Sequence, residues 1–179
     1  LPHLGRVRRD GEVASSAVDD PALDLYTTLP PPIGASTAWG VNLFSYPVGK
    51  GFDGGTPEMD LTGRARILVH GPHLQLPEGT WEARLMFGVD PEGLPIRFRF
   101  DWGLGEDFVE TSHVVTRSGL YGLTLRRRWL EPGPAQARIW LMQGTFQGRF
   151  DFRGCTIRRV ADDTVIDEEG SNVSAGEKQ

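Results

Sequence analysis

The stretches TWEARLMFGVD (80–90) and LPIRFRFDW (94–102), joined by the turn PEG (91–93), decide the fold. Apolar residues alternate with charged ones through both stretches, apart from Met86 on the polar side of the first. Alternation with a period of two is typical of a strand with one buried face, and PEG is a turn sequence. The pattern therefore predicts two neighbouring antiparallel strands. The apolar positions are Trp81, Ala83, Leu85, Phe87 and Val89, then Ile96, Phe98, Phe100 and Trp102.

The same pattern extends in both directions from this pair and predicts seven strands between residues 64 and 160. The other five are RARILVHG (64–71), FVETSHVVT (108–116), LYGLTLRRRWL (120–130), AQARIWLMQ (135–143) and QGRFDFRGCTIRRV (147–160), with a bulge at Gly154. No segment of helical length has a 3.6-residue period. We therefore expect an all-β antiparallel sandwich of jelly-roll type, because two sheets packed face to face bury one side of each strand. An Ig-like sandwich is the alternative.

The predicted core follows from the same alternation. Trp81 and Trp129 are assigned to it. The inward-facing residues of the middle strands are Ile96, Phe98, Phe100, Leu123, Leu125, Ile139, Leu141, Phe150 and Phe152.

A length of 179 residues suits one domain, divided by composition into three parts. Residues 1–63 are predicted to be an N-terminal extension and connector, with short strands such as ALDLY (22–26) packing on the sandwich. Residues 64–160 form the sandwich core, and 161–179 an acidic tail that we expect to be mobile. Because the chain does not begin with methionine, we expect it to come from a larger protein.

Charge, hydropathy and cysteine content argue against several functional classes. The chain has 19 basic and 24 acidic residues, net −5, yet residues 64–160 hold 14 basic and 10 acidic residues, net +4. The overall charge disfavours nucleic acid, and no apolar run is long enough to cross a bilayer. A single cysteine, Cys155, excludes an internal disulfide, suits a reducing compartment and slightly favours a cytoplasmic location.

Catalytic and metal-binding patterns are weak. There is no G-x-S-x-G motif, and acids such as Glu106 and Asp107 lie in a predicted turn, so we expect no catalysis in this segment. The His70–His73 segment lacks further histidine or cysteine ligands for zinc. Calcium is possible at Asp53, Glu58 and Asp60, although a solvated loop is favoured. We therefore expect no cofactor.

The outward side of the predicted middle sheet carries arginines and one large aromatic side chain, Trp140. A flat indole can stack on a pyranose ring, while arginine and aspartate bind the hydroxyls. Docking against another domain and cover by residues 35–63 are the alternatives. Trp102, at a strand end, is a second candidate platform. The predicted ligand-binding residues are Trp140, Arg138, Arg99, Asp101, Arg126 and Trp102.

The segment HGPHLQLPEGTWEARLMF (70–87) resembles a pattern of jelly-roll, carbohydrate-binding-like domains in bacterial polysaccharide- and glycosyltransferase-associated proteins. Residues 76–79 (LPEG) and Trp81 match that pattern, whereas His73 stands where tyrosine is expected. The resemblance implies a non-catalytic accessory domain that positions a glycan or a fused catalytic domain, of the kind appended to glycosyltransferases. A docking or oligomerisation module without a glycan is the alternative. No catalytic residue is carried over.

Overall fold

The computed structural model describes residues 30–46 and 57–162. In these two ranges the regular structure is β, apart from a short 3-10 turn at Val41–Leu43. No helix in them is long and apolar enough to span a membrane. The strands are β1 (Ser36–Trp39), β2 (Glu58–Asp60), β3 (Arg66–Leu76), β4 (Gly79–Asp90), β5 (Ile96–Leu104), β6 (Asp107–Val115), β7 (Gly119–Trp129), β8 (Gly133–Leu141) and β9 (Arg149–Val160).

The strands pair as one long hairpin that has been rolled up. Strand β5 pairs with β6, β4 with β7, β3 with β8 and β2 with β9, all antiparallel. Lateral pairs β4–β9 and β5–β8 then join these ribbons into two sheets. The four-stranded sheet has the order β3-β8-β5-β6. The five-stranded sheet has the order β1-β9-β4-β7, with β2 also on β9. This winding is that of a jelly roll. The predicted jelly-roll sandwich is confirmed, and the Ig-like alternative is wrong.

The core lies between the inner faces of the sheets and is rich in aromatic rings. Phe87, Phe100 and Phe150 pack in its centre, with ring centroids 5.0 Å and 5.8 Å from Phe87. Trp102 lies at one end with its ring 5.0 Å from Trp129. Of the inward residues predicted from the alternation, all are buried except the half-buried Leu123. Trp81 and Trp129 are in the core as predicted.

Two strands depart from simple alternation. Strand β3 continues to residue 76, beyond the predicted end at 71, because register shifts at 67–69 and 72–74 let it follow β8. In β9 the predicted bulge at Gly154 is present: Cys155 faces Leu85, whereas Phe152 faces Phe87. Gly154 has a φ of +102°, and a Cβ there would lie 3.0 Å from a backbone oxygen of β1. Glycine is therefore required at this position.

The N-terminal part contributes short strands to the five-stranded sheet. Strand β1 pairs with residues 155–158 of β9, and β2 pairs with 149–151. The predicted strand 22–26 and all but the first two residues of the predicted tail lie outside the described residues. The division at residue 63 stays a prediction.

Candidate functional site

The outer surface of the four-stranded sheet, here called the tryptophan face, brings together most of the residues predicted to bind a ligand. Its side chains form rows across β3, β8, β5 and β6, because residues in register on neighbouring strands point to the same side. The rows are Ile67–Trp140–Arg99–Ser112, His70–Arg138–Asp101–Glu110 and Pro72–Gln136–Gly103–Phe108. Met142, Arg97 and Val114 form a further row towards the β4–β5 turn.

Asp101 lies at the centre of this face and yet has no exposed surface. Three side chains cover and bind its carboxylate. The Trp140 indole N–H donates to Oδ2 at 2.8 Å, and Arg138 Nε donates to the same oxygen at 3.0 Å. Arg99 Nε lies 3.0 Å from Oδ1. Hydrogen bonds to an ionised acceptor are stronger than neutral ones, so the carboxylate ties the three side chains into one unit.

Aromatic contacts hold the same arginines from the other side. The guanidinium carbon of Arg99 lies 5.0 Å from the centre of the Trp140 ring, and that of Arg138 lies 3.5 Å from the centre of the Phe108 ring. Both distances are those of cation–π contacts. The two arginine side chains remain 28% and 24% exposed, and Trp140 is half-buried. The face therefore presents an indole and two guanidinium groups in fixed positions at the surface.

The charge of this face is slightly positive. Arg97, Arg99 and Arg138 oppose Asp101 and Glu110, and Glu110 lies 3.8 Å from Arg99. Burial lowers the pKa of His70, and the nearby charges of His73 and Arg138 lower it further. His70 is therefore neutral at pH 7 and adds no charge.

The structure corrects three of the predicted site residues. Trp102 is fully buried, and its indole N–H donates to the carbonyl of Trp81 at 3.3 Å, so it is a core residue and no platform for a ligand. Arg126 lies on β7 in the opposite sheet, where it donates to the carbonyl of Ala161. Asp101 is on the predicted face, but its burial prevents contact with a ligand, so it positions the residues around it.

The described residues do not support the alternative that residues 35–63 cover Trp140. Ser45 pairs with His70 on the outer edge of β3, with backbone hydrogen bonds of 2.8 Å and 3.1 Å. Trp140 lies one row further along the face, in register with Ile67, and keeps part of its surface exposed.

The possible metal ligands are not gathered into a site. No group of three or more suitable side chains occurs within 30–46 and 57–162, and Asp53 lies outside these ranges. The Asp60 carboxylate accepts the Thr62 N–H at 2.7 Å, and Glu58 is paired with Arg149 at 3.4 Å.

The sequence reading missed two contributors to the tryptophan face, Phe108 and Glu110. Both belong to β6, whose alternation is weak. The available signal was the turn at 105–106, because a tight hairpin there sets Phe108 opposite Gly103 and Glu110 opposite Asp101.

Comparison with known proteins finds similar solved structures at low sequence identity. No family model and no curated protein matches the chain. Among the solved structures that it resembles is a family 61 carbohydrate-binding module in complex with β-1,4-galactotriose (TM-score 0.43, 11% identity, 70% of this chain and 82% of that one). Another is the CBM36-1 domain of a multidomain xylanase from the hindgut metagenome of Trinervitermes trinervoides (0.43, 11%, 72% and 100%).

A third is a glycosylation-associated protein complex from Streptococcus agalactiae (TM-score 0.48, 14% identity), where the match covers 73% of this chain and 26% of that one. At such identities the likeness concerns the fold alone. The jelly-roll fold that the sequence resemblance implies is confirmed by the strand pairing of this chain.

Proposed function

We propose that this chain is a non-catalytic glycan-binding module of a larger bacterial protein, and that its site is the tryptophan face. The observation that carries the proposal is the burial of Asp101 at an outward-facing position, where it binds Trp140, Arg99 and Arg138. A buried charge is expensive, and apolar residues would pack a surface position at lower cost. Its effect here is to fix three groups in the positions that binding needs, which lowers the entropy lost when a ligand binds.

The chemistry of this face suits a sugar. The indole of Trp140 offers an apolar surface for the C–H side of a pyranose, and Arg99 and Arg138 offer N–H donors for ring hydroxyls or for the carboxylate of a uronic acid. The single surplus positive charge tolerates neutral and acidic sugars alike. Binding in this way would position a glycan, or bring it to a catalytic domain in the parent protein.

Catalysis on this face is disfavoured by the state of its carboxylates. Glycoside hydrolysis needs two carboxyl groups that reach the substrate. Asp101 is enclosed by its three partners, which leaves Glu110 as the exposed carboxylate in the rows described above.

A docking or oligomerisation surface is the second candidate. Val114 and Met142 are 50% and 39% exposed in the row next to Trp140, so the face has apolar as well as arginine anchors. Such side chains are favoured at protein interfaces.

A glycan array followed by fluorescence titration separates the two. Glycan binding is expected to be lost in Trp140→Ala and retained in Leu130→Ala, a control that removes an exposed apolar side chain (80%) from the β7–β8 turn, outside the rows of the tryptophan face. Circular dichroism verifies that both variants are folded. Failure of every glycan to bind, together with concentration-dependent self-association that Trp140→Ala abolishes, would establish the docking function and overturn glycan recognition.

A further inference from the structure

The outer surface of the opposite, five-stranded sheet contains a groove that the proposed function does not use. One depression of about 340 Å³ lies across β2, β9, β4 and the start of β7. A second, of about 430 Å³, lies between β2, the β4–β5 turn and the loop after β8. Glu58 and Arg149 line both, so the two depressions adjoin at this ion pair, and together they are called the groove below.

Gly88 lines the first depression at the surface of β4. A Cβ at this position would lie 2.0 Å from Oδ1 of Asp151, whose carboxylate therefore lies directly above the glycine. The missing side chain at Gly88 makes room for the Asp151 carboxylate on the sheet surface, and the Asp151 side chain remains 26% exposed and within reach of a ligand.

The polar walls consist of paired groups. Arg153 Nε lies 2.6 Å from Oδ2 of Asp151. Arg149 lies 3.4 Å from Glu58 and 3.9 Å from Glu92. The side chains of both arginines are more than half exposed, so their remaining donors and the free carboxylate lone pairs point into the groove or to solvent. Paired planar groups of this kind offer neighbouring donors and acceptors to adjacent hydroxyls.

An aromatic side chain, Phe146, lines the second depression of the groove. Phe146 is 91% exposed, the largest exposed fraction among the exposed large apolar side chains of the described residues. Its loop is nevertheless held by hydrogen bonds. Thr145 exchanges two backbone bonds with Gly63, and Gln143 donates to the carbonyl of Pro95 at 3.0 Å. An ordered loop that exposes a phenyl ring beside a polar groove provides a stacking platform.

The negative charge of the groove favours an uncharged ligand over an anionic one. Five carboxylates and two guanidinium groups line it, so its formal charge is −3. A uronate, sulfate or phosphate polymer would be repelled, whereas neutral hydroxyls can bind the paired groups without that cost. The charged residues are Glu58, Asp60, Asp90, Glu92, Asp151, Arg149 and Arg153.

We infer that this groove is a second glycan site, specific for uncharged oligosaccharides. Phe146 stacks on one sugar ring, and Asp151, Arg153 and Arg149 bind the hydroxyls of the next. The site lies on the sheet opposite to the tryptophan face and shares no residue with it. It extends the proposed function but does not depend on the tryptophan face.

The test uses the full chain and an array of uncharged oligosaccharides of three to six sugars, with uronic-acid oligosaccharides alongside. The strongest uncharged binder is then titrated by calorimetry against Phe146→Ala and Asp151→Asn. Leu130→Ala is the matched control, since Leu130 is an exposed apolar turn residue (80%) that lines neither depression. We expect at least a tenfold rise in Kd for both groove variants and no change for the control.

The outcomes separate the two sites. Loss of oligosaccharide binding in Phe146→Ala with full binding in Trp140→Ala supports the groove as the binding site. It contradicts the tryptophan face as the site for that ligand. Loss in Trp140→Ala alone supports the tryptophan face and overturns the groove. Binding of uronic-acid oligosaccharides alone, or no binding of any uncharged oligosaccharide, also overturns the groove.

Discussion

Removal of the Asp101 carboxylate should destabilise the protein far more than an outward-facing strand position normally would. Breaking a buried ion pair by removing one partner costs about 3–5 kcal/mol, and a hydrogen bond to a charged group contributes about 1.5–3 kcal/mol. Arg99 and Arg138 are about one quarter exposed and can regain water, so part of this loss is recovered. We expect Asp101→Ala to lower the free energy of unfolding by about 3 kcal/mol.

Such a loss corresponds to a fall in Tm of about 6–12 °C at the 2–4 °C per kcal/mol typical of this size. Urea unfolding followed by tryptophan fluorescence measures it. Glu110→Ala is the control: its side chain is 63% exposed and 3.8 Å from Arg99, so its cost should stay below about 0.5 kcal/mol. A loss below about 1 kcal/mol in Asp101→Ala, or one equal to that of the control, would refute the view that this carboxylate organises the tryptophan face.

Three further results are expected. Gly103→Ala should lower the free energy of unfolding in urea by at least about 2 kcal/mol, because its Cβ would lie 2.1 Å from a backbone oxygen of β6. In the control Gly119→Ala the new Cβ has no atom closer than 3.7 Å, so stability should change by less than about 0.5 kcal/mol. Equal losses in the two variants would contradict this reasoning. Cys155 should react with a thiol reagent at pH 8 only after unfolding, because burial raises the pKa of its thiol, and rapid reaction of the native protein would show that it is accessible. The hydrogen bond from Ser118 lowers the pKa of Asp90, so this carboxylate stabilises the fold above about pH 4 and loses that effect as the pH falls further. Ser118→Ala should therefore raise the pKa of Asp90 measured by NMR. An unchanged pKa would rule out the contact.

The fold could be predicted from the sequence because its strands obey one simple rule. In β4, β5, β8 and β9 apolar residues alternate with mostly polar ones, and the turns that connect the strands carry glycine and proline. The strand order could also be predicted, because a jelly roll pairs its strands symmetrically about the central hairpin. The extension of β3 to residue 76 was not, because its bulges depend on the partner strand.

The candidate site was predictable in part. Alternation placed Trp140, Arg138, Arg99 and Asp101 on one face, and the structure brings them together. Alternation cannot show which outward groups are covered by their neighbours, so the burial of Asp101 was missed. Nor does it assign strands to sheets, so Arg126 was placed with the wrong partners.

Phe146 shows another limit of the sequence. A single aromatic residue in a glycine-containing loop is as consistent with a buried anchor as with an exposed platform. Its exposure follows from long-range hydrogen bonds between its loop and residues 63 and 95, which no local pattern reveals.

The most direct test of the tryptophan face as a glycan site is an NMR titration of the five tryptophan indole N–H signals with the strongest acidic or neutral glycan from the array. We expect the Trp140 signal to shift saturably, together with backbone amides of β5 and β8, while the signal of the buried Trp102 stays in place. Saturable binding that leaves Trp140 and these amides unmoved, or the absence of any shift at millimolar glycan, would contradict this expectation.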